Sequence, residues 1–383
     1  MQTLKVGFAR VDITPPLGIA INGYFIPRKA EKILDPLEAN CIALCSGETK
    51  VLLLTVDNLG ITKKYLQPMI EAVQAATGLP EEAVYIHATH SHTAGTIAPM
   101  LTGEENPEYQ RMMTSRLVEV AVAALADLKP AKMGWGVGQA PRVAFVRRFR
   151  MKDGSVRTNP GTNNPDIVAP IGDVDERVNI LRFDREGGDT VVLMNFGNHP
   201  DTVGGCNISA DWPGFARKAV EQALPGTKAV MFNGAQGDVN HINVHPVGGE
   251  MNDLTRDFDD VDRGYGHARY IGRVIAGAVL QTYDKVSWVG DTQLRCIKKS
   301  VSIPSNMPAE KDLPQARIYA ELHNAGRDAE IPYQGMMLTT VVAEALRMLK
   351  LEHGPESFEI PLGAIAIGKV AMVGIAGDRK SVV

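Results

Sequence analysis

Cysteine is scarce in this chain. Four residues in 383, Cys41, Cys45, Cys206 and Cys296, are too few for a disulfide framework. Cys41 and Cys45 fall in an apolar strand pattern and are expected to be small core residues. An excess of positive charge is also lacking, with 40 Lys and Arg against 44 Asp and Glu. The chain therefore carries no electrostatic footprint for nucleic acid or an anionic membrane. No apolar run approaches the roughly 18 residues of a membrane helix, so no integral membrane segment is expected. The start, Met-Gln-Thr-Leu-Lys-Val-Gly-Phe, has no charged leader and no apolar leader core, and a cytoplasmic location is expected. Aromatic residues make up 6%, and Trp135, Trp212 and Trp288 are too scattered to form a carbohydrate or lipid platform. They are expected to pack in the core. What is present, 44% apolar and 22% charged residues, is the composition of a folded globular chain. The sequence leaves the oligomeric state open.

Three segments repeat one pattern, a strand, a tight turn and a second, almost wholly apolar strand: residues 39–57, 177–199 and 358–377. Second strands of this kind are expected to be buried on both faces. Helices are predicted between the strands. Leu66, Met69, Ile70 and Val73 keep helical spacing before Gly78. Met113, Leu117, Val120, Ala124 and Leu128 mark a second helix, closed by Pro130. Asp211 is expected to cap a third, with Phe215, Ala219 and Val220 as its stripe. Ile271, Ile275 and Val279 mark a fourth, and two more are expected over 312–325 and 336–351. Strands 83–88 and 229–233 follow the first and third helices. The fold class is α/β, with mixed β-sheets built from repeated hairpin and βαβ units flanked by helices. Polar stretches at 150–176 and 243–264 read as long surface loops. No linker stands out, so one domain over residues 1–377 is expected.

Histidine is unevenly placed. Ala83-Val-Tyr-Ile-His-Ala-Thr-His-Ser-His-Thr93 runs from a buried strand into His90 and His92, and ligands in open α/β sheets gather at the carboxyl ends of strands. Neutral imidazole is the commonest metal ligand, and two histidines at i and i+2 on an extended strand face one side. The plainer reading, a pair of satisfied surface or core histidines, stands beside this one, and His87 within the strand reads as structural. Asn198-His199-Pro200 ends a second buried strand. A third strand runs into Asn233-Gly-Ala-Gln-Gly-Asp-Val-Asn240, a glycine-rich polar turn whose backbone N–H groups can face a substrate. Three polar loops at three strand ends argue for a site more strongly than any one of them.

Taken in order, Val6-Gly-Phe-Ala-Arg-Val-Asp-Ile-Thr-Pro-Pro16, Ala88-Thr-His-Ser-His-Thr93, Asn198-His-Pro200 and Gly237-Asp-Val239 resemble the N-terminal catalytic domain of the neutral/alkaline non-lysosomal ceramidases, in particular the short bacterial ceramidase-like members. The resemblance implies a zinc-dependent hydrolase that cleaves the amide bond of a small-molecule or lipid-like N-acyl substrate. It also implies Zn²⁺ held by two histidines, a glutamate and a tyrosine. His90 and His199 match the two histidine ligands, and His92 matches the neighbouring histidine at the reaction centre. Arg147 matches an arginine near the substrate, although Val146 stands where the family has asparagine. Asp238 is either an orienting residue or a turn cap. The family's catalytic serine is Asn240 here, which leaves water as the attacking group. Residues 378–383, Asp-Arg-Lys-Ser-Val-Val, stand where the glutamate motif is expected, and the tyrosine has no counterpart. They back-translate into a common sequencing-adapter sequence. The expectation is a catalytic domain truncated after residue 377, a non-native tail over 378–383, and a chain that is inactive or weakly metallated as written. Rival readings are a metal-dependent amidase, esterase or deacetylase acting on a sugar or polar metabolite, and a degenerate binding protein on the same scaffold.

Overall fold

The computed structural model describes residues 3–24, 26–97, 104–246 and 264–377. The expected loop at 243–264 lies outside them apart from its two ends, and the expected tail 378–383 lies outside them entirely. The main elements are β1 (Leu4–Asp12), β2 (Glu38–Ser46), β3 (Thr49–Val56), α1 (Lys63–Thr77), β4 (Val84–Ala88), α2 (Pro107–Ala126), β5 (Lys129–Gln139), β6 (Arg177–Arg185), β7 (Thr190–Phe196), α3 (Asp211–Ala223), β8 (Thr227–Asn233) and α4 (Tyr265–Tyr283). The fold class is α/β.

The strands join in the order β8-β7-β6-β5-β1-β2-β3-β4. Only the pairs β3/β4 and β7/β8 are parallel, because only there does a helix return the chain to the same end of the sheet. The seam between β5 and β1 is two residue pairs long, Lys5 with Pro130 and Val6 with Lys129. On either side of it stands the same unit, a hairpin, a crossover helix and a parallel strand.

Side-chain alternation shows how the two halves pack. On β3, Leu52, Leu54 and Val56 face α1 and α2, with Met69, Val73, Met113 and Leu117. On β7, Val192, Met194 and Phe196 face α3 and α4, with Trp212, Val220, Ile271 and Ile275. The alternate residues Val51, Leu53, Val191 and Leu193 meet in a third cluster with Leu44, Phe183 and Val230. The larger sheet is therefore bent on itself into two facing layers with helices outside, and β3 and β7 are buried on both faces. Each such side chain contributes roughly 1.5–3 kcal/mol by leaving water.

The helices follow their local signals. Gly78 ends α1 in the left-handed conformation, φ 69°, with its N–H on Gln74 O. The Asn106 side chain accepts the Tyr109 N–H to start α2. Pro130 lies inside β5 rather than just closing α2. Asp211 opens α3 with a positive φ of 53°. Its carboxylate accepts the N–H groups of Thr202, Val203 and Trp212, so it ties the loop eight to nine residues upstream to the helix start rather than simply capping it.

Three expectations need correction. Residues 150–176 are not all loop: Val156–Thr158 and Ile167–Pro170 pair with Arg148–Met151 in a small sheet. The third hairpin exists in a sheet of Leu294–Pro304, Ser357–Ile367 and Val370–Ile375, but its last strand is an edge strand and is not buried, with Val373 64% exposed. Trp212 is buried, whereas Trp135 and Trp288 are partly exposed and the Arg182 guanidinium lies over Trp288.

The chain divides into two compact units, 1–297 with 363–373, and 298–362 with 374–376. The smaller unit contains two helices, Leu313–Asn324 and Gly335–Glu352, and buries Ala316, Ala320, Val342 and Ala345. Among the described residues no helix is long and apolar enough to cross a membrane. No disulfide joins cysteines among the described residues, and Cys41 and Cys45 are buried as expected.

Candidate metal centre

Four buried strand ends of the larger unit meet at one place. β3 ends in Asp57-Asn58, β4 in Thr89-His90, β7 in Asn198-His199 and β8 in Asn233-Gly234. His90, His92 and His199 form the cluster among the described residues that could hold a metal ion, with ligand atoms within 4.8 Å of one another. The ring centroids are 5.0 Å apart for His90 and His92, 4.7 Å for His90 and His199, and 5.0 Å for His92 and His199.

The sequence argument for His90 and His92 reached the right convergence by the wrong geometry. β4 stops at Ala88, so the pair is not on an extended strand. His90 instead adopts φ 74°, a left-handed conformation in which histidine is enriched among non-glycine residues. The chain turns there, and the two rings meet edge to face. Such a backbone costs of order 1–3 kcal/mol and persists only where its surroundings enforce it. Two contacts enforce it: His90 N–H donates to Asn58 O at 2.8 Å, and the ring Nδ1 lies 2.7 Å from Leu59 O.

All three rings are oriented through Nδ1. His90 Nδ1 lies 2.7 Å from Leu59 O, His92 Nδ1 3.0 Å from Gly23 O, and His199 Nδ1 3.1 Å from Gln236 O. A carbonyl only accepts, so each Nδ1 carries the proton and each Nε2 presents a lone pair. This is the outer support that metal-binding histidines use to fix tautomer and ring angle. The Nε2 atoms of His90 and His199 are 3.2 Å apart, and the buried Nε2 of His92 has no hydrogen-bond partner. Burial, reinforced by the neighbouring His90 and His199, holds His92 well below the ordinary histidine value. Burial and then the Arg147 charge do the same for His199. Both rings are thus neutral, the form that binds a cation.

His92 differs from the other two in its surroundings. Asp201 Oδ1 lies 3.8 Å from its Nδ1, and the Tyr24 hydroxyl donates to that same oxygen at 2.5 Å. Arg28 lies over the Tyr24 ring, 3.9 Å from its centroid, and donates to His92 O and Asn22 O. Gly23 is required here. Its φ is +109°, and a Cβ would approach His92 Nδ1 to 2.7 Å.

The other expected residues lie close by in different roles. Arg147 donates from Nε and Nη2 to Gly237 O at 3.0 and 2.6 Å. Asp238 is buried beside Arg148, 3.6 Å away, and its backbone carbonyl accepts the Arg147 N–H. Asn240 pairs with Phe145 in a two-stranded ladder. Its amide reaches Asn159 Oδ1 at 3.3 Å and accepts the Ile242 N–H.

Sequence reasoning passed over several residues at this centre. Tyr24, Arg28 and Asp201 carried no local signal beyond the Asn-Gly turn before Tyr24. Asp57 did carry one, a charged residue following an almost wholly apolar strand. It is fully buried and takes two hydrogen bonds from Arg217 of α3, at 2.9 and 2.6 Å.

No protein-family description and no curated protein matches this chain. Two solved structures share its fold. One is neutral ceramidase from Pseudomonas aeruginosa, at a TM-score of 0.69 and 15% identity, covering 97% of this chain and 62% of that one. The other is a ceramidase complexed with C2, at a TM-score of 0.67 and 15% identity, covering 97% and 63%. The chain thus spans under two thirds of the length of the structures it matches, and the likeness is one of fold.

Proposed function

We propose that this chain is a zinc-dependent hydrolase of the neutral ceramidase type, cleaving an amide or ester bond by attack of water. The observation that carries the reading is the convergence of His90, His92 and His199, each oriented by a carbonyl on its Nδ1, in a fold shared with neutral ceramidase. The donors fit zinc, which takes neutral imidazole nitrogen, and the unpartnered Nε2 of His92 is a buried polar atom that calls for a partner.

His90 and His199 would hold the ion, because their Nε2 atoms are 3.2 Å apart and their Nδ1 partners are uncharged. Zinc bound there would supply a Lewis acid for the scissile carbonyl and an acidified water as nucleophile. His92 is held neutral by burial with its Nε2 free of protein partners, the form a proton acceptor needs. It would take the proton of the attacking water at Nε2 and return it to the leaving nitrogen. The Arg147 guanidinium lies near enough to His199 to act on its ring, where it favours the negative charge of the transition state. Asp238, next to Arg148, holds the loop that Arg147 binds. Asn240 offers no nucleophile, and its amide is engaged by Asn159 and by the Ile242 N–H. The substrate class is a small-molecule or lipid-like N-acyl compound.

The test is carboxylate release from a panel running from N-acetyl sugars to long-chain N-acyl sphingoid bases, with zinc in excess. The clustering of three histidines argues against the expectation of an inactive or weakly metallated chain, and release from at least one member, abolished by chelator and restored by zinc, is expected. No release from a chain shown to hold zinc overturns the hydrolase reading.

A further inference from the structure

Asn233 stands at the end of β8, and its side chain joins the two halves of the larger unit. Nδ2 donates to Thr89 O at 3.1 Å and to Asn198 O at 2.9 Å. Oδ1 accepts the Asn198 N–H at 3.3 Å. Thr89 immediately precedes His90, and Asn198 immediately precedes His199. One amide group therefore ties together the residues just before both histidines, and it is buried, 8% exposed. Both of its donor hydrogens are used, one on each half, which a carboxylate cannot do and a single hydroxyl can do only on one side.

A second tie nearby allows a comparison. Thr55 Oγ1 of β3 donates to Met231 O of β8 at 3.2 Å. It also crosses between the halves and is buried, but it meets β8 two residues earlier and its other contact is His87, at 3.5 Å, rather than Thr89 or Asn198.

We propose that Asn233 is the positioning residue that sets the separation of His90 and His199, and so the affinity of the site for a divalent cation. The inference rests on the reading of those two histidines as ligands. Bonds that orient ligands from behind are worth 10–100-fold in metal affinity, and here the bond acts through the backbone that carries each ligand.

The experiment is a Co(II) titration of the purified chain, read by visible absorption, for the wild type, Asn233→Asp, Asn233→Ser and Thr55→Val, with a thermal midpoint for each. In the wild type, one Co(II) is expected per chain. The two Asn233 variants are expected to bind at least tenfold more weakly with an altered spectrum. Thr55→Val is expected to lower the midpoint while keeping the spectrum and an affinity within twofold. Wild-type affinity and spectrum in either Asn233 variant overturn the proposal, as does equal weakening by Thr55→Val. Failure of the wild type to bind Co(II) removes the ligand reading and the proposal with it. A metal-free crystal structure of Asn233→Ser separates the two claims. Histidines still 3.2 Å apart would overturn the positioning role alone.

Discussion

In the first half of the larger unit the hairpin β2–β3 ends in Asp57, and the histidines come later, after α1 and the parallel strand β4. In the second half β7 of the hairpin β6–β7 ends at Phe196 and His199 follows three residues later, and the parallel strand β8, after α3, ends in Asn233. Each half thus has two buried strand ends at the same place, one carrying imidazole and the other carrying a lock, and the assignment is swapped between them. Asp57 of the first half binds Arg217 of the second, and Asn233 of the second binds Thr89 of the first. Repetition of a fold unit supplied four equivalent strand ends, and the two halves divided the roles differently. A site built this way depends on the seam between the halves as much as on the histidines.

The largest effect expected from breaking the comparison is at His92, which belongs to the first half but is supported by Asp201 of the second. His92→Ala should lower hydrolysis by ~10²–10⁴-fold, the usual contribution of a general acid–base group, while zinc content stays at the wild-type level. Parallel activity and metal assays check this, and loss of zinc would make His92 a ligand.

Next comes the lock itself. Asp57→Ala leaves Arg217 charged and fully buried, with Glu38 at 3.2 Å as its remaining ion pair. Breaking a buried pair from one side costs about 3–5 kcal/mol, so urea unfolding should show a lower midpoint at unchanged slope. Replacing both partners together, as Asp57→Leu with Arg217→Met, should recover most of that loss.

Acid should also open the seam. His87 on β4 packs its ring 5.1 Å from Phe232 on β8, and burial pushes it down to about 4. Burial does the same to His267 of α4. A histidine that protonates near 6.5 when unfolded and near 4 when folded leaves the unfolded state holding more protons between those values, so stability falls as pH drops from 6.5 toward 4. Asp211, raised to about 7 by burial, works in the opposite sense over that window, and two histidines outweigh it. Thermal midpoints from pH 7 to 4 should decline. A flat profile would mean that these rings are not neutral in the fold.

The smallest effect is expected at Asn240. Asn240→Ser restores the hydroxyl that the ceramidase resemblance calls for, yet the loop holds this side chain against Asn159 and Ile242. About 0.5–1.5 kcal/mol of stability should be lost with the hydrogen bonds, with hydrolysis unchanged within twofold. A large gain in rate would place residue 240 at the reacting bond.

Much of this was legible in the chain. Strand-length apolar runs at 51–56, 83–88 and 191–196, with helical spacing between them, are local patterns, and they were enough for the α/β class and for the strands after which His90 and His199 stand. The third hairpin misled because an apolar strand reads the same whether it lies in a covered sheet or at an edge, as Val370–Ile375 does. The histidines were found through type and position, but the turn at His90 needed its positive φ, which no spacing rule reveals. The locks were invisible for another reason. Asp57 and Arg217 are 160 residues apart, and Asn233 and Thr89 are 144 apart. Only the folded sheet decides that they meet.

The central claim is that two halves bring His90 and His199 together to hold one metal ion. The most direct measurement is zinc bound per chain, by equilibrium dialysis with elemental analysis, for the wild type and for His90→Ala and His199→Ala. One zinc per wild-type chain and none in either variant is the predicted result. A full equivalent of zinc retained in both variants, or none in the wild type at saturating metal, would contradict it.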